Sequence, residues 1–229
     1  MTDDVVRSGI FQQALVAGRE TLEHEARTIL LQIEATAQSF PQVVDLVAGL
    51  RGRFVISGLG KSGHIGRKIA ATLASTGTPS FFIHSTEALH GDAGMVGPED
   101  AVMLISSSGE TAEVCRFAEV LRFRGIPIVG VTRRADSTLA KGSTVTLVLD
   151  VEREADPLDL APTASTTATL AIGDALAAAL MTLRGFTAED FALHHVGGSL
   201  GEALDADRIG EPSAGTIGQP SEGTNWEPS

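Results

Sequence analysis

Apolar and polar positions along this chain follow two different periods. From Ile10 to Phe40 the apolar residues Leu15, Leu22, Ala26, Ile29, Leu30, Ile33 and Ala37 recur at helical spacing and predict one long amphipathic helix. Pro41 opens a second helix that runs through Leu50, since proline is tolerated in a first helical turn. After it, short runs that are apolar throughout alternate with helical stretches. The predicted strands are Phe54–Ser57, Ser80–His84, Ala101–Ser106, Pro127–Thr132 and Thr144–Asp150. Between them lie predicted helices at Ser62–Ser75, Thr86–His90, Glu110–Gly125 and Ser137–Lys141. Strands with no polar face, separated by helices, predict an α/β fold whose parallel sheet is covered on both sides.

A loop, Val151–Pro162, then leads to a nearly all-apolar helix, Thr163–Arg184, expected at the centre of the packing, and Thr187–His195 begins a further short helix. Beyond about Ala206 the chain is Gly, Pro, Ser, Thr and Glu with almost no large apolar residue, which predicts a disordered tail. The expected organisation is therefore N-terminal helices packed on the domain over 1–52, an α/β domain over 53–206 and a tail over 207–229.

Charge narrows the partners. The 229 residues carry a net charge of −12, which argues against nucleic acid and against an anionic membrane surface. The longest apolar stretch, Leu170–Met181, contains Asp174 and is too short to span a bilayer. One cysteine, Cys115, allows no intrachain disulfide, and the acidic start has no apolar signal region, so a cytoplasmic location is expected.

The chemistry gathers first at Arg53–Lys68, RFVISGLGKSGHIGRK. A buried strand breaks at Gly58 and Gly60 and restarts as a helix near Ser62. Glycines let the backbone approach a ligand, and free N–H groups at a helix start favour an anion. Lys61 adds a positive charge, and with Arg53, Arg67 and Lys68 it is expected to supply a local cationic cluster for a small phosphate. The phosphate-binding pattern G-x-x-x-x-G-K fails because Val55 stands at the first glycine. Gly58-x-Gly60-x-x-Gly63 matches a dinucleotide fingerprint, but the next strand ends in His84 where a ribose-binding carboxylate is needed. A purely structural turn is the bland alternative; a small phosphorylated ligand fits better.

Ligands of open parallel sheets sit at the carboxyl ends of the strands, where three further loops are unusual. Ser106-Ser107-Ser108-Gly109-Glu110-Thr111 follows the third strand and sets hydroxyls and N–H groups at a helix start, more than a simple cap requires. Gly77-Thr78 is grouped with His84, Glu87 and His90. Pro162–Thr167 opens the long helix with hydroxyls. Among titratable groups, Glu110 and Glu113 fit a helix start for dipole reasons alone. Glu152, Glu154 and Asp156 fit a solvated acidic loop, and His194 and His195 fit capping or surface positions. His84 and His90 are candidate metal ligands, although no HExxH or CxxC pattern accompanies them.

In order along the chain stand GLGKSGH, STGTPSFF, EALHGD, SSSGE, LAPTASTTAT and RGFTAEDFA. Together they resemble the sugar isomerase (SIS) domain of D-arabinose 5-phosphate isomerases, over roughly Leu15 to Gly201. The resemblance implies a three-layer α/β/α sandwich with a five-stranded parallel, flavodoxin-like sheet. It implies interconversion of D-ribulose 5-phosphate and D-arabinose 5-phosphate through an enediol, a step toward Kdo, a sugar of bacterial lipopolysaccharide. The family's catalytic positions fall on Lys61, Glu113, Glu154 and His195. Its substrate contacts fall on Gly77, Thr78, His84 and His90, with His84 also associated with zinc. By this reading Glu113 or His195 moves the carbon proton, Lys61 stabilises the enediolate and Glu154 positions or tunes a partner. Ser106, Ser107, Ser108 and Thr111, with Ser62 and Thr166, hold the phosphate. No cofactor is required; Zn2+ is a candidate ligand of His84. The resemblance also implies a homodimer or homotetramer. Two departures stand out: many members continue into paired CBS domains where this chain enters its low-complexity tail, and Ser107 stands where asparagine is common. Two readings stay open beside this one, an isomerase of another phosphosugar on the same fold and a non-catalytic phosphosugar-binding regulator.

Overall fold

The computed structural model describes residues 2–194, with side chains described from residue 7. Two units are distinguished, residues 1–187 and residues 188–229. In the first, five strands form one parallel sheet: β1 (Phe54–Gly58), β2 (Ser80–His84), β3 (Ala101–Ile105), β4 (Ile128–Thr132) and β5 (Val145–Val148). Their order is β2-β1-β3-β4-β5. Gly58 at the end of β1 pairs with His84 on one side and Ile105 on the other, so those three strands end level. The central strands β1, β3 and β4 are buried at every residue, which is why they read as unbroken apolar runs.

The helices are α1 (Thr2–Ala35), α2 (Phe40–Ala48), α3 (Gly60–Ser75), α4 (Ser85–Ala88), α5 (Ala112–Phe123), α6 (Thr138–Gly142) and α7 (Ala164–Arg184). Side chains leave alternate faces of the sheet and build two cores. Phe54, Ile56, Met103, Val129 and Leu147 pack with Val43 and Val47 of α2, Ile69 and Leu73 of α3, and Leu176 and Leu180 of α7. Val55, Val102, Leu104 and Ile128 pack on the other side with Val114, Phe117 and Leu121 of α5 and Leu139 of α6. This is a three-layer α/β/α sandwich. By length and composition α7 is apolar enough to cross a membrane, yet Ile172, Leu176, Ala177 and Leu180 are buried in the first core, so it is the core helix expected. The second unit is described only as α8 (Ala188–His194).

Two boundaries differ from expectation, and so does one packing face. α1 ends at Ala35, and residues 36–39 form a turn before Pro41 enters the first turn of α2. α5 begins at Ala112, because Thr111 is extended at φ −62°, ψ 118° and Glu110 turns away to another helix. α1 packs through its polar side: Thr28 and Gln32, with Thr36 in the turn just beyond, are buried while Leu15, Leu22 and Ile33 are exposed. The tail over 207–229 and the end of the 53–206 domain lie outside the described residues.

Candidate active site

Parallel strands and right-handed crossovers bring every loop that follows a strand to one edge. Along that edge stand His84 at the end of β2, Gly60–Ser62 after β1, Ser106–Glu113 after β3, Arg133 after β4 and Glu154 after β5. A cleft of about 680 Å³ opens there. Its walls include Ser62, Ser106, Ser107, Ser108, Thr111, Arg133, Glu154 and Asp159.

The serine loop is folded by its own hydroxyls. Ser106 Oγ accepts the Gly109 N–H at 3.1 Å and shares a hydrogen with Thr111 Oγ1 at 2.8 Å. Ser108 Oγ accepts the Glu110 N–H at 3.2 Å. Gly109 has φ +68°, and an added Cβ would lie 2.2 Å from Ser137 Oγ, so the loop requires glycine there. Thr111 gives α5 no side-chain cap, and Leu59 gives α3 none. The first N–H groups of these two helices therefore remain available beside the hydroxyls, with the positive ends of both helix dipoles. That is an anion cradle.

The opposite wall is held by three carboxylates. Glu154 is buried, and its Oε2 accepts the N–H of Thr163 at 2.8 Å and of Ser165 at 3.1 Å, capping α7 from outside the helix. Arg133 Nη1 lies 3.8 Å from Glu154 Oε1, while Nη2 donates to the Val151 carbonyl at 2.7 Å. Asp159 Oδ1 accepts the Glu154 N–H at 2.6 Å; at φ +52° it is the one non-glycine in the left-handed region among the described residues. Asp156 accepts the N–H groups of Leu158, Leu160 and Ala161. Burial by itself raises the Asp156 carboxyl, and these N–H bonds outweigh it and hold the group below the usual aspartate range. The Thr138 N–H likewise holds the Glu110 carboxyl low, which ties Glu110 to α6.

The cleft thus brings together Ser62, Ser106, Ser107, Ser108, Thr111 and Glu154 of the predicted set. Lys61, exposed, and Glu113, half-buried, lie at the same edge in the first turns of α3 and α5, flanking the cleft rather than lining it. Thr166 lines a void of about 10 Å³ beneath the cleft with Ser62 and Ser107. Its hydroxyl donates to the Thr163 carbonyl at 2.9 Å, and Glu154 accepts N–H groups at the α7 N-terminus.

The expected place of Gly77 and Thr78 among the loops at the carboxyl ends is corrected. They precede β2, so they lie at the amino end of the sheet, roughly 15 Å of strand away from His84. There Arg184 donates to the Gly77 carbonyl and to Thr78 Oγ1, and Gly77, at φ +85°, leaves room for the Phe186 ring. They anchor the end of α7, and within one chain they do not reach the cleft. The expected cation cluster disperses too. Arg53 turns to Asp100 at the amino end, Arg67 stacks on Phe82 at 4.3 Å, and Lys68 pairs with Asp174. Lys61 makes no ion pair among the described residues. His195 lies outside the described residues.

His84 Nδ1 is buried and without a hydrogen-bond partner among the described residues, while His90 is exposed. No group of three His, Cys, Asp or Glu side chains is gathered for a metal among the described residues. The sequence reading passed over Arg133 and Asp159. Arg133 directly follows a strand at its carboxyl end, and that position was the available signal.

Residues 51–179 match the SIS domain. The arabinose 5-phosphate isomerase KdsD of Escherichia coli K12 is 51% identical over 194 residues, which cover 85% of this chain and 58% of that protein. KdsD of Pseudomonas aeruginosa is 49% identical over 197 residues, 81% of this chain and 60% of the relative. The chain therefore spans somewhat under two thirds of the curated relatives it matches. Among solved structures, the E. coli CFT073 protein c3406 in complex with arabinose 5-phosphate superposes with a TM-score of 0.77 at 42% identity, covering 80% of this chain and 98% of that one.

Proposed function

The chain belongs to the SIS domain family, and from that premise we propose that it interconverts D-ribulose 5-phosphate and D-arabinose 5-phosphate. The observation that carries the proposal is the cradle at the carboxyl edge. Two uncapped helix N-termini and the Ser106–Thr111 loop face a cleft whose far wall holds a buried carboxylate. The similarity to KdsD proteins and to a structure holding arabinose 5-phosphate supports the choice of substrate.

In the reaction, a base removes the C2 proton of the open-chain aldose as the carbonyl oxygen O1 takes up a proton, which gives the enediol. A proton then adds at C1 while the O2 hydroxyl loses its own, which gives the ketose. No electrons leave the substrate, and the reading requires no cofactor. Glu113 or His195 moves the carbon proton and Lys61 stabilises the developing oxyanion. The serine loop with Ser62 holds the phosphate, so that remote binding energy fixes the reacting carbons. Glu154 works through the wall it caps. The product feeds Kdo synthesis, the reaction takes place in the cytoplasm, and the working protein is a homodimer or homotetramer.

The test is proton NMR of D-arabinose 5-phosphate in D2O with the metal-free protein, then with Zn2+. The expected result is conversion to the ketose with deuterium at C1, together with deuterium at C2 of the aldose formed in the reverse direction. Absence of conversion overturns the proposal. A raised melting temperature with the sugar phosphate would then indicate a sensor, and no shift an isomerase of another phosphosugar.

A further inference from the structure

β4 lies between the strands that feed the two walls of the cleft, since the sheet order runs β3-β4-β5. The ladder continues past its end. The Ser106 N–H donates to the Val131 carbonyl at 3.0 Å, and the Arg133 N–H donates to the Ser107 carbonyl at 3.0 Å. The backbone of Arg133 therefore stands one strand spacing, about 4.8 Å, from the serine loop. Its side chain runs to the other wall. Nη2 donates to the carbonyls of Val151 at 2.7 Å and Glu152 at 3.2 Å, which fixes the guanidinium plane. Nη1 stops 3.8 Å from Glu154 Oε1, beyond hydrogen-bond reach. Nη1 and Nε thus donate to no acceptor among the described residues, although the side chain is only 30% exposed. A planar, permanent cation held by two carbonyls, with donors to spare, suits an oxyanion.

The charges that line the cleft are Arg133, Arg134, Glu154 and Asp159. Arg134 is spent on Asp136, to which its Nε and Nη2 both donate at 3.2 Å. The serine loop offers hydroxyls and N–H groups but no full positive charge, and the whole chain carries −12. A phosphate dianion in that loop would otherwise face the Glu154 carboxylate, and like charges at such range repel. We propose that Arg133 is the counter-charge of the phosphate. It is a substrate-binding residue whose Nη1 and Nε donate to the phosphate in the serine loop and whose charge separates that phosphate from Glu154. The inference rests on the phosphosugar reading above for its ligand and adds a residue to the binding machinery; no proton transfer passes through it.

The probe is inorganic phosphate, titrated by calorimetry into the whole chain, followed by steady-state kinetics with D-arabinose 5-phosphate. Two variants separate charge from support. Arg133→Gln keeps an N–H donor for the Val151 and Glu152 carbonyls and removes the charge; Arg133→Lys keeps the charge. Arg133→Gln is expected to bind phosphate about tenfold to a hundredfold more weakly, as loss of a charged hydrogen-bond donor predicts. Arg133→Lys recovers most of that loss, and KM for the sugar phosphate rises in the same order while kcat changes less. The salt dependence of phosphate affinity flattens in Arg133→Gln and not in Arg133→Lys. A support role alone predicts the reverse, with Arg133→Gln native-like, and unchanged phosphate affinity in that variant would overturn the proposal. A measurement on the native protein does not depend on how the variants fold: phosphate should shift the Arg133 Nε–H signal in proton–nitrogen NMR, saturating with the calorimetric affinity. Conversion of the sugar with that signal unmoved would overturn the site alone. A saturating shift without conversion would overturn the isomerase reading and keep the site.

Discussion

Glu154 Oε2 accepts the backbone N–H of Thr163 at 2.8 Å, and the same oxygen takes the N–H of Ser165 at 3.1 Å. A side chain from the loop after β5 thereby supplies the cap that α7 lacks, since Thr163 makes no side-chain cap of its own. This carboxylate accepts from two backbone donors and faces Arg133 with its other oxygen.

Glutamine in place of Glu154 keeps an oxygen for both donors. Glu154→Gln is expected to hold turnover at saturating substrate within about tenfold of native, because a group that only positions others forfeits less than the roughly 10²–10⁴ of a proton carrier. Glu154→Ala leaves two buried N–H groups unpaired and is expected to lower stability by about 2–3 kcal/mol in urea unfolding. A loss of about a thousandfold or more in Glu154→Gln, at unchanged melting temperature, would assign Glu154 to proton transfer instead.

Glu113 stands in the first turn of α5, half-buried, at the edge of the cleft. If it moves the carbon proton, Glu113→Gln abolishes both turnover and deuterium exchange while circular dichroism and melting temperature stay native. Near-normal turnover would remove it from the mechanism and leave His195.

Ser107 lines both the cleft and the void beneath it. A carboxylate there opposes the phosphate within a few ångströms, where like charges weaken binding, so Ser107→Asp should raise KM at least about tenfold and change the melting temperature little. Steady-state kinetics with an unchanged KM would move the phosphate elsewhere.

At Gly109 the backbone has φ +68°, and a methyl group would press on Ser137 and Thr132. Gly109→Ala is expected to cost about 1–3 kcal/mol through backbone strain and to distort the cradle. Thermal unfolding and KM should therefore worsen together; an unaltered melting temperature would show that the loop adapts.

The Asp156 carboxyl is held low by three N–H bonds, so its folded value lies below the unfolded one near about 3.9. A depressed folded value contributes stability that is present above about pH 3.9 and lost as pH falls through the folded value. Melting temperatures from about pH 6 down to about pH 2 should fall more steeply in the native protein than in Asp156→Asn. Parallel slopes would show that Asp156 carries no share of acid unfolding.

Much of this architecture was legible beforehand. The β1, β3 and β4 runs have no polar face, and only a doubly covered parallel sheet buries such strands, so fold class and strand positions followed from local pattern. The Gly58–Gly63 and Ser106–Thr111 corners were legible for a related reason: glycine and hydroxyl residues at a strand-to-helix turn act on the backbone within a few residues of themselves. Tertiary structure alone decided the rest. It gave Glu154 to the α7 N-terminus, scattered Arg53, Arg67 and Lys68 among separate partners, and turned the polar side of α1 inward. In each case the deciding partner lies across the fold or on another element. Helical or strand periodicity says which residues share a face; what that face meets is set by packing and hydrogen-bond satisfaction across the whole chain.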